Sequence, residues 1–320
     1  MLNLKIIKNQ KYFLGFSLIL TIISIISIFA IKLNLGVDFK GGDLFQIKYE
    51  KTMDKALVDK TLTDLVSEVP KLRGQRIQFS EDNTVIVKTE QLTNTEKTKV
   101  LNTLKEKTGK YDLVKYDTVG ATIGKELTSN AVSALIIGSI LIVIYITVRF
   151  EWIYAIAGIL ALLHDIVITI GLIALLRYEA DTPFIAAILT ILGYSINDTI
   201  VIFDRIREND KENKKSKHQK SFAEVIDHSI NQVFARSLYT SLTTLFSVIV
   251  LLIFGGSTLK TFSMTLFIGI TFGTYSSIFI ASPIVYLLRR FKKEDKNKDS
   301  NKRKTGKSVN GYDESDKVLV

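Results

Sequence analysis

The sequence predicts a multi-pass α-helical membrane protein with six transmembrane helices and a small α+β ferredoxin-like extracytoplasmic domain between the first and the second. Three observations carry this. Six apolar runs are each long enough to cross a hydrocarbon core of roughly 30 Å. Of the 320 residues, 47% are hydrophobic, too many and too segmented for one soluble domain. Between the first two runs lies a long polar segment in which strand-like and helix-like periodicities alternate.

The first run, 13–31, follows Lys5, Lys8 and Lys11, and so looks like a signal peptide. Its length and the lack of a small-x-small cleavage site instead predict a retained anchor, with residues 1–12 on the cytoplasmic side. Residues 32–130 form the outer domain. Strands are expected at Leu44–Tyr49, at Arg76–Phe79 and Thr84–Lys88 around Asp82-Asn83, and at Tyr111–Tyr116, with helices at Met53–Val69 and Thr95–Lys107. Strand, helix, strand, strand, helix, strand is the split ferredoxin-like order.

The remaining crossings are expected at 131–148, 153–176, 182–203, 237–259 and 262–288. Residues 204–236 begin charged and then place Phe222, Val225, Ile226, Ile230 and Val233 at helical spacing, predicting an interfacial helix that leads into the fifth crossing. Small residues at Ala131, Ala134 and Gly138, at Ala155, Gly158 and Ala161, and at Gly269 and Gly273, with Ser276, Ser277 and Ser282 further along, permit close helix contact. The tail, 289–320, is basic; the stretch from Lys292 to Asp316 is expected to be disordered, either solvated or docked on anionic lipid or an acidic partner.

Net charge is +10, yet nucleic acid is not implied. With the N-terminus inside, the basic excess falls in the inner segments, the bias that membrane topology alone produces. There is no cysteine, which excludes disulfides and thiolate metal sites.

Ionisable residues interrupt three successive apolar runs. Asp198 lies within 182–203, and His164 and Asp165 within 153–176, while Arg236 opens 237–259. A carboxylate in a membrane costs roughly 2.5–3.5 kcal/mol on insertion scales, so it requires a partner or a use. Helix rise puts His164 roughly 18 Å and Asp198 roughly 24 Å below the outer loop 177–181. Arg236, about one turn nearer the cytoplasm, can snorkel towards Asp198. Such a pair is a proton switch if it forms and breaks, and a structural ion pair if it is permanent. Tyr194 and Asn197 lie beside Asp198 and can hydrogen-bond it or an ordered water, with Thr190 two turns above. Ser237, Thr240, Ser241, Thr244 and Ser247 form a hydroxyl stripe continuous with Arg236, either a water-bearing face or hydroxyls bonded to their own backbone. His164-Asp165 admits three readings: a proton relay, a satisfied polar pair, or a metal site, for which too few ligands converge. His218 and His228 read as surface residues.

Several motifs carry a family resemblance. They are Gly36-Val-Asp-Phe-Lys-Gly-Gly42, Val119-Gly-Ala-Thr-Ile-Gly124, Ala161-Leu-Leu-His-Asp165, the long run Gly193–Asn209, Asn231-Gln-Val-Phe-Ala-Arg-Ser237 and Phe254-Gly-Gly256. Together they resemble the SecF family of bacterial protein-export membrane proteins, across nearly the whole chain except the tail. Asp43 stands where that family more often has threonine. The resemblance implies one six-helix half of an RND-type transporter in the bacterial cytoplasmic membrane, with both termini cytoplasmic. It also implies a SecD partner supplying the other half, association with the SecYEG channel and a translocating polypeptide, and export aided by the proton-motive force. Asp198 and Arg236 match the family's proton-path residues, and no cofactor beyond protons is expected.

Competing readings are weaker on the residues. An intramembrane aspartyl protease needs paired carboxylates, but no Gly-x-Gly-Asp precedes Asp198. An RND-like efflux component would need a second half that this length does not hold. A passive scaffold gives no reason for an intramembrane acid.

Overall fold

The computed structural model describes residues 4–80 and 83–292; most of the expected disordered tail, and Asp82 of the expected turn, lie outside the described residues. Helix α1 (Gln10–Ile26) opens the bundle and is prolonged by a π-helical turn, Ser27–Ile31. A short strand β1 (Asn34–Leu35) and one turn of helix α2 (Val37–Lys40) lead to Gly41 and Gly42, at φ 78° and 139°. A Cβ at Gly42 would strike the Thr89 carbonyl, so close backbone approach and backbone angle both require glycine there.

The outer domain follows as β2 (Gly42–Tyr49), α3 (Lys55–Asp64), β3 (Arg76–Phe79), β4 (Thr84–Thr89), α4 (Asn94–Thr108) and β5 (Tyr111–Val119). Its sheet is antiparallel in the order β3-β4-β2-β5, the interleaving of a ferredoxin-like fold. Alternate residues Phe45 and Ile47, with Val85 and Val87, meet Leu62 and Leu104 of the two helices in a closed core. Asp54 caps α3, and Thr93 with Glu96 forms a capping box on α4. The first helix is shorter than expected: α-helix stops at Asp64, and 3-10 turns, one starting at Pro70, carry the chain to Leu72. Asp43 is buried and accepts the Leu92 amide at 2.8 Å, which fixes the lead into α4.

The bundle continues with α5 (Ala121–Arg149), α6 (Trp152–Leu175), a short strand β6 (Glu179–Ala180), α7 (Thr182–Lys215), α8 (Phe222–Phe254) and α9 (Gly256–Ser276). A π-helical turn, Ser277–Ala281, and helix over 282–292 complete α9. Among the described residues, six helices are long and apolar enough to cross a membrane. Their limits correct the expectation in three places. Helix α5 starts ten residues before 131, as a stalk beneath β5. Residues 204–236 are not a separate interfacial helix. Instead α7 runs on to Lys215 and α8 begins at Phe222, and Val225, Ile226, Ile230 and Val233 are buried within the protein. The charged end of α7 is held by Arg149 on Asp204 at 2.9 Å and Arg289 on Asp210 at 3.1 Å. The N-terminal segment also docks there: Ile6 and Ile7 are buried, and the Leu4 and Ile7 amides donate to Asn231 and Asp227. Finally, the turn between the last two crossings falls at Gly255-Gly256 rather than near residue 260, because Gly256 takes a φ of 69°.

Domain and bundle are joined at the α6–α7 loop. Strands β1 and β6 pair in parallel, and Glu179, buried in β6, receives Arg76 at 3.2 Å and Lys88 from the domain sheet. Asp38 accepts the Thr182 amide at 2.9 Å, and Asp181 caps α7 through the Phe184 amide. The domain thus grips the end of the helix that carries Asp198.

Candidate functional site

Helices α6, α7 and α9 meet where small residues let their backbones approach. A Cβ at Gly269 would collide with Ile191, one at Gly273 would press on Ser195, and one at Gly171 of α6 would overlap the Ser24 backbone of α1. Two separate polar centres occupy this packed interior.

The first is built on Asp165, which is fully buried. One carboxylate oxygen faces His164 Nδ1 at 2.9 Å. The other accepts Ser195 Oγ of α7 at 2.5 Å and Ser276 Oγ of α9 at 2.7 Å. The far ring nitrogen of His164 pairs with Ser17 of α1. Four helices therefore converge on one fully engaged carboxylate. A second hydroxyl link lies alongside: Thr199 Oγ1 and Ser277 Oγ are 2.8 Å apart. The π-helical turn starting at Ser277 stands beside these contacts, a local widening of the helix of the kind found at functional sites.

The second centre is Asp198, 5% exposed. Its side-chain hydrogen bond is long, from Ser241 Oγ of α8 at 3.4 Å, and Ser241 is itself 2.6 Å from Thr274 of α9. Ser237, one turn before Ser241, is buried and turned towards the same carboxylate without completing a hydrogen bond. Arg236 acts on Asp198 electrostatically but forms no ion pair with it within 4.0 Å, and is exposed. The Asp198–Arg236 contact expected from helix spacing is therefore open in this conformation.

The expected neighbours of Asp198 divide differently. Asn197 is exposed and directed away from the buried side of α7 that holds Asp198. Tyr194 reaches α8 instead, its hydroxyl donating to the Thr240 carbonyl at 3.0 Å and lying 3.3 Å from Thr244 Oγ1. The hydroxyl stripe is not one face. Ser237 and Ser241 point inward, whereas Thr240, Thr244 and Ser247 bond to their own backbone on the outer side, as does Thr190 on α7. This 3–4 spacing spreads over about a third of a helix circumference, so its members need not share surroundings. Sequence reasoning missed Ser17, Ser195 and Thr274 altogether, and took Ser276 only as a small packing residue. Single serines in apolar helices carry no local signal of what faces them.

Asp165 and Asp198 share no hydrogen bond, and among the described residues no three His, Asp or Glu side chains converge as metal ligands would. Asp165 and Asp198 therefore do not form the shared carboxylate pair that an aspartyl protease requires. What it can do is hold one acid in a fixed hydroxyl cage and leave another with slack.

Comparison with known proteins bears on what that geometry serves. The family described as "Protein export membrane protein SecD/SecF, C-terminal" matches residues 99–291, and the "SecD/SecF GG Motif" matches residues 26–53, which include Gly41-Gly42. The protein translocase subunit SecF of Sebaldella termitidis is 55% identical over 302 residues, covering 94% of this chain and 97% of the relative. That of Calditerrivibrio nitroreducens is 38% identical over 300 residues, covering 91% and 96%. Among solved structures, SecDF from Thermus thermophilus, a translocon-associated membrane protein, matches with a TM-score of 0.81 at 35% identity, over 90% of this chain and 39% of that one. SecDF in a super-membrane-facing form matches with a TM-score of 0.69, also at 35% identity, over 93% and 40%. The chain spans about two-fifths of the length of these solved chains. In sequence and in fold, the chain belongs to the SecF family of protein-export membrane proteins.

Proposed function

We propose that the chain works as a subunit of the bacterial protein translocase, in which protons passing Asp198 shift the helix bundle and move the ferredoxin-like domain against an emerging polypeptide. The observation that carries this reading is the state of Asp198: buried in the bundle, served by one long hydroxyl contact and separated from its cation. Such a group is poised to change its proton occupancy, because approach of Arg236 favours the ionised form and separation favours the neutral one. Each proton crossing 100 mV releases roughly 2.3 kcal/mol, so a few protons suffice to bias a change of several kcal/mol. The domain clamp on the α6–α7 loop gives movement of α7 a direct route to the outer domain.

A SecD partner supplies the second half. The solved SecDF chains are more than twice the length of this one, and α5 buries only Gly124 and Ile146, leaving an apolar helix face for lipid or for that half. The SecYEG channel is the further partner, and the membrane is the bacterial cytoplasmic one, with both termini on its inner side. That orientation follows from the basic residues gathered at the end of the bundle away from the domain. The mechanism uses no cofactor besides protons, and the chain breaks no covalent bond.

The test is export into energised vesicles carrying the whole complex with Asp198→Asn. Gradient-stimulated export is lost while the complex assembles and inserts normally. Full stimulated export by the variant contradicts the reading.

A further inference from the structure

We propose that the end of the bundle opposite the folded domain holds a binding site for the phosphate headgroup of an anionic phospholipid. A cavity of about 370 Å³ opens there between the start of α6, the charged end of α7 and the helix over 282–292. Its walls carry Arg207, Lys211 and Lys214 from α7 and Arg289 and Lys292 from the last helix, against the acidic Glu151 and Asp210. Asp210 is already engaged by Lys214 at 2.9 Å and Arg289 at 3.1 Å. Among the described residues Lys211 forms no ion pair, and Lys292 meets only the Trp152 ring, 5.1 Å from its ammonium. The cavity is therefore left with a surplus of positive charge.

Tyr154 supplies the second, independent sign of a ligand. Its side chain is 5% exposed and lines the cavity, and its hydroxyl has no hydrogen-bond partner among the described residues. A nearly buried phenol normally finds a partner. A phosphate oxygen in the cavity would accept that hydrogen bond and face the Lys211 and Lys292 ammonium groups.

Position favours lipid over a soluble phosphate. The cavity lies at the first turn of a membrane-spanning helix, flanked by Trp152 and Phe291, 50% and 61% exposed. Exposed aromatic rings at a helix end are those that settle at the headgroup level. Basic pockets between spanning helices on the cytoplasmic side are suited to anionic headgroups.

The experiment is native mass spectrometry of the full chain, released from micelles containing equal amounts of phosphatidylglycerol and phosphatidylcholine. Phosphatidylglycerol is expected to be retained about tenfold over phosphatidylcholine, and Lys211→Gln with Lys292→Gln to remove that preference. Both lysines are exposed, so the fold should tolerate the change. Tyr154→Phe, which keeps the ring, should lower retention by a smaller factor, and Lys125→Gln at the other end should leave it unchanged. Equal retention of the two lipids, or a preference untouched by the lysine substitutions, overturns the site. Displacement of the lipid by an equal concentration of glycerol phosphate overturns the lipid assignment and makes the occupant a soluble phosphate.

Discussion

Asp165 and Asp198 sit on neighbouring helices of one apolar bundle, and their surroundings are opposite. Asp165 has both oxygens engaged, by His164, Ser195 and Ser276, and ties four helices together. Asp198 has a 3.4 Å contact to Ser241, an incompletely bonded Ser237 beside it and an arginine that does not reach it. A fully satisfied buried network rigidifies, whereas a partly satisfied one has alternatives to move to. The first carboxylate is built to hold the bundle and the second to change state.

The largest expected effect comes from removing the scaffold. Asp165→Ala leaves His164, Ser195 and Ser276 facing a void and should destabilise the folded bundle by about 3–5 kcal/mol, whereas Asp198→Ala should change stability by about 1 kcal/mol or less. Thermal unfolding of the two variants in detergent measures the difference; equal losses would erase the contrast. Next is Gly171→Val. A side chain there displaces α1 at Ser24 and, with it, the Ser17 contact to His164, at about 1–3 kcal/mol for overpacking. Smaller still is Ser276→Ala against Ser241→Ala. The first should cost about 0.6–1.7 kcal/mol, as buried interhelical hydrogen bonds in membranes do, and the second should hardly register because its contact to the carboxylate is long.

The last effect is a pH dependence at the domain junction. Burial raises the Asp181 carboxyl from 3.8 to about 6, partly opposed by the Phe184 amide and Lys88. A carboxyl raised on folding contributes stability that is full below its unfolded value and lost as pH rises through its folded value. The junction should therefore weaken as pH climbs from about 4 to about 7. Asp181→Asn keeps the cap on α7 and should flatten that dependence in melts of the full chain across the same range.

Much of this organisation was legible in the sequence. The six apolar runs located the spanning helices, and alternating apolar residues such as Phe45, Ile47, Val85 and Val87 marked a split βαββαβ domain. What failed depended on partners distant in the chain. Residues 204–215 read as the charged start of a separate segment beyond the fourth crossing, yet Arg149 and Arg289 neutralise their aspartates and let α7 continue. The stripe Phe222–Val233 read as a lipid-facing surface because its covering partners, Ile6 and Ile7 among them, lie more than 200 residues away. Ser237–Ser247 read as one face because spacing fixes angle but not what packs at that angle. The proton switch was placed on Asp198 with Arg236, and His164-Asp165 stayed open between a relay, a polar pair and a metal site, since nothing near Asp165 in the sequence announces Ser17, Ser195 or Ser276.

The most direct measurement of the difference between the two acids is infrared spectroscopy of the reconstituted complex as a proton gradient is imposed, comparing the native chain with Asp198→Asn. The account predicts a carboxyl band that changes intensity with the gradient in the native protein and vanishes in the variant. A gradient-dependent carboxyl band that persists unchanged in Asp198→Asn would contradict it, and would return the moving proton to the other site.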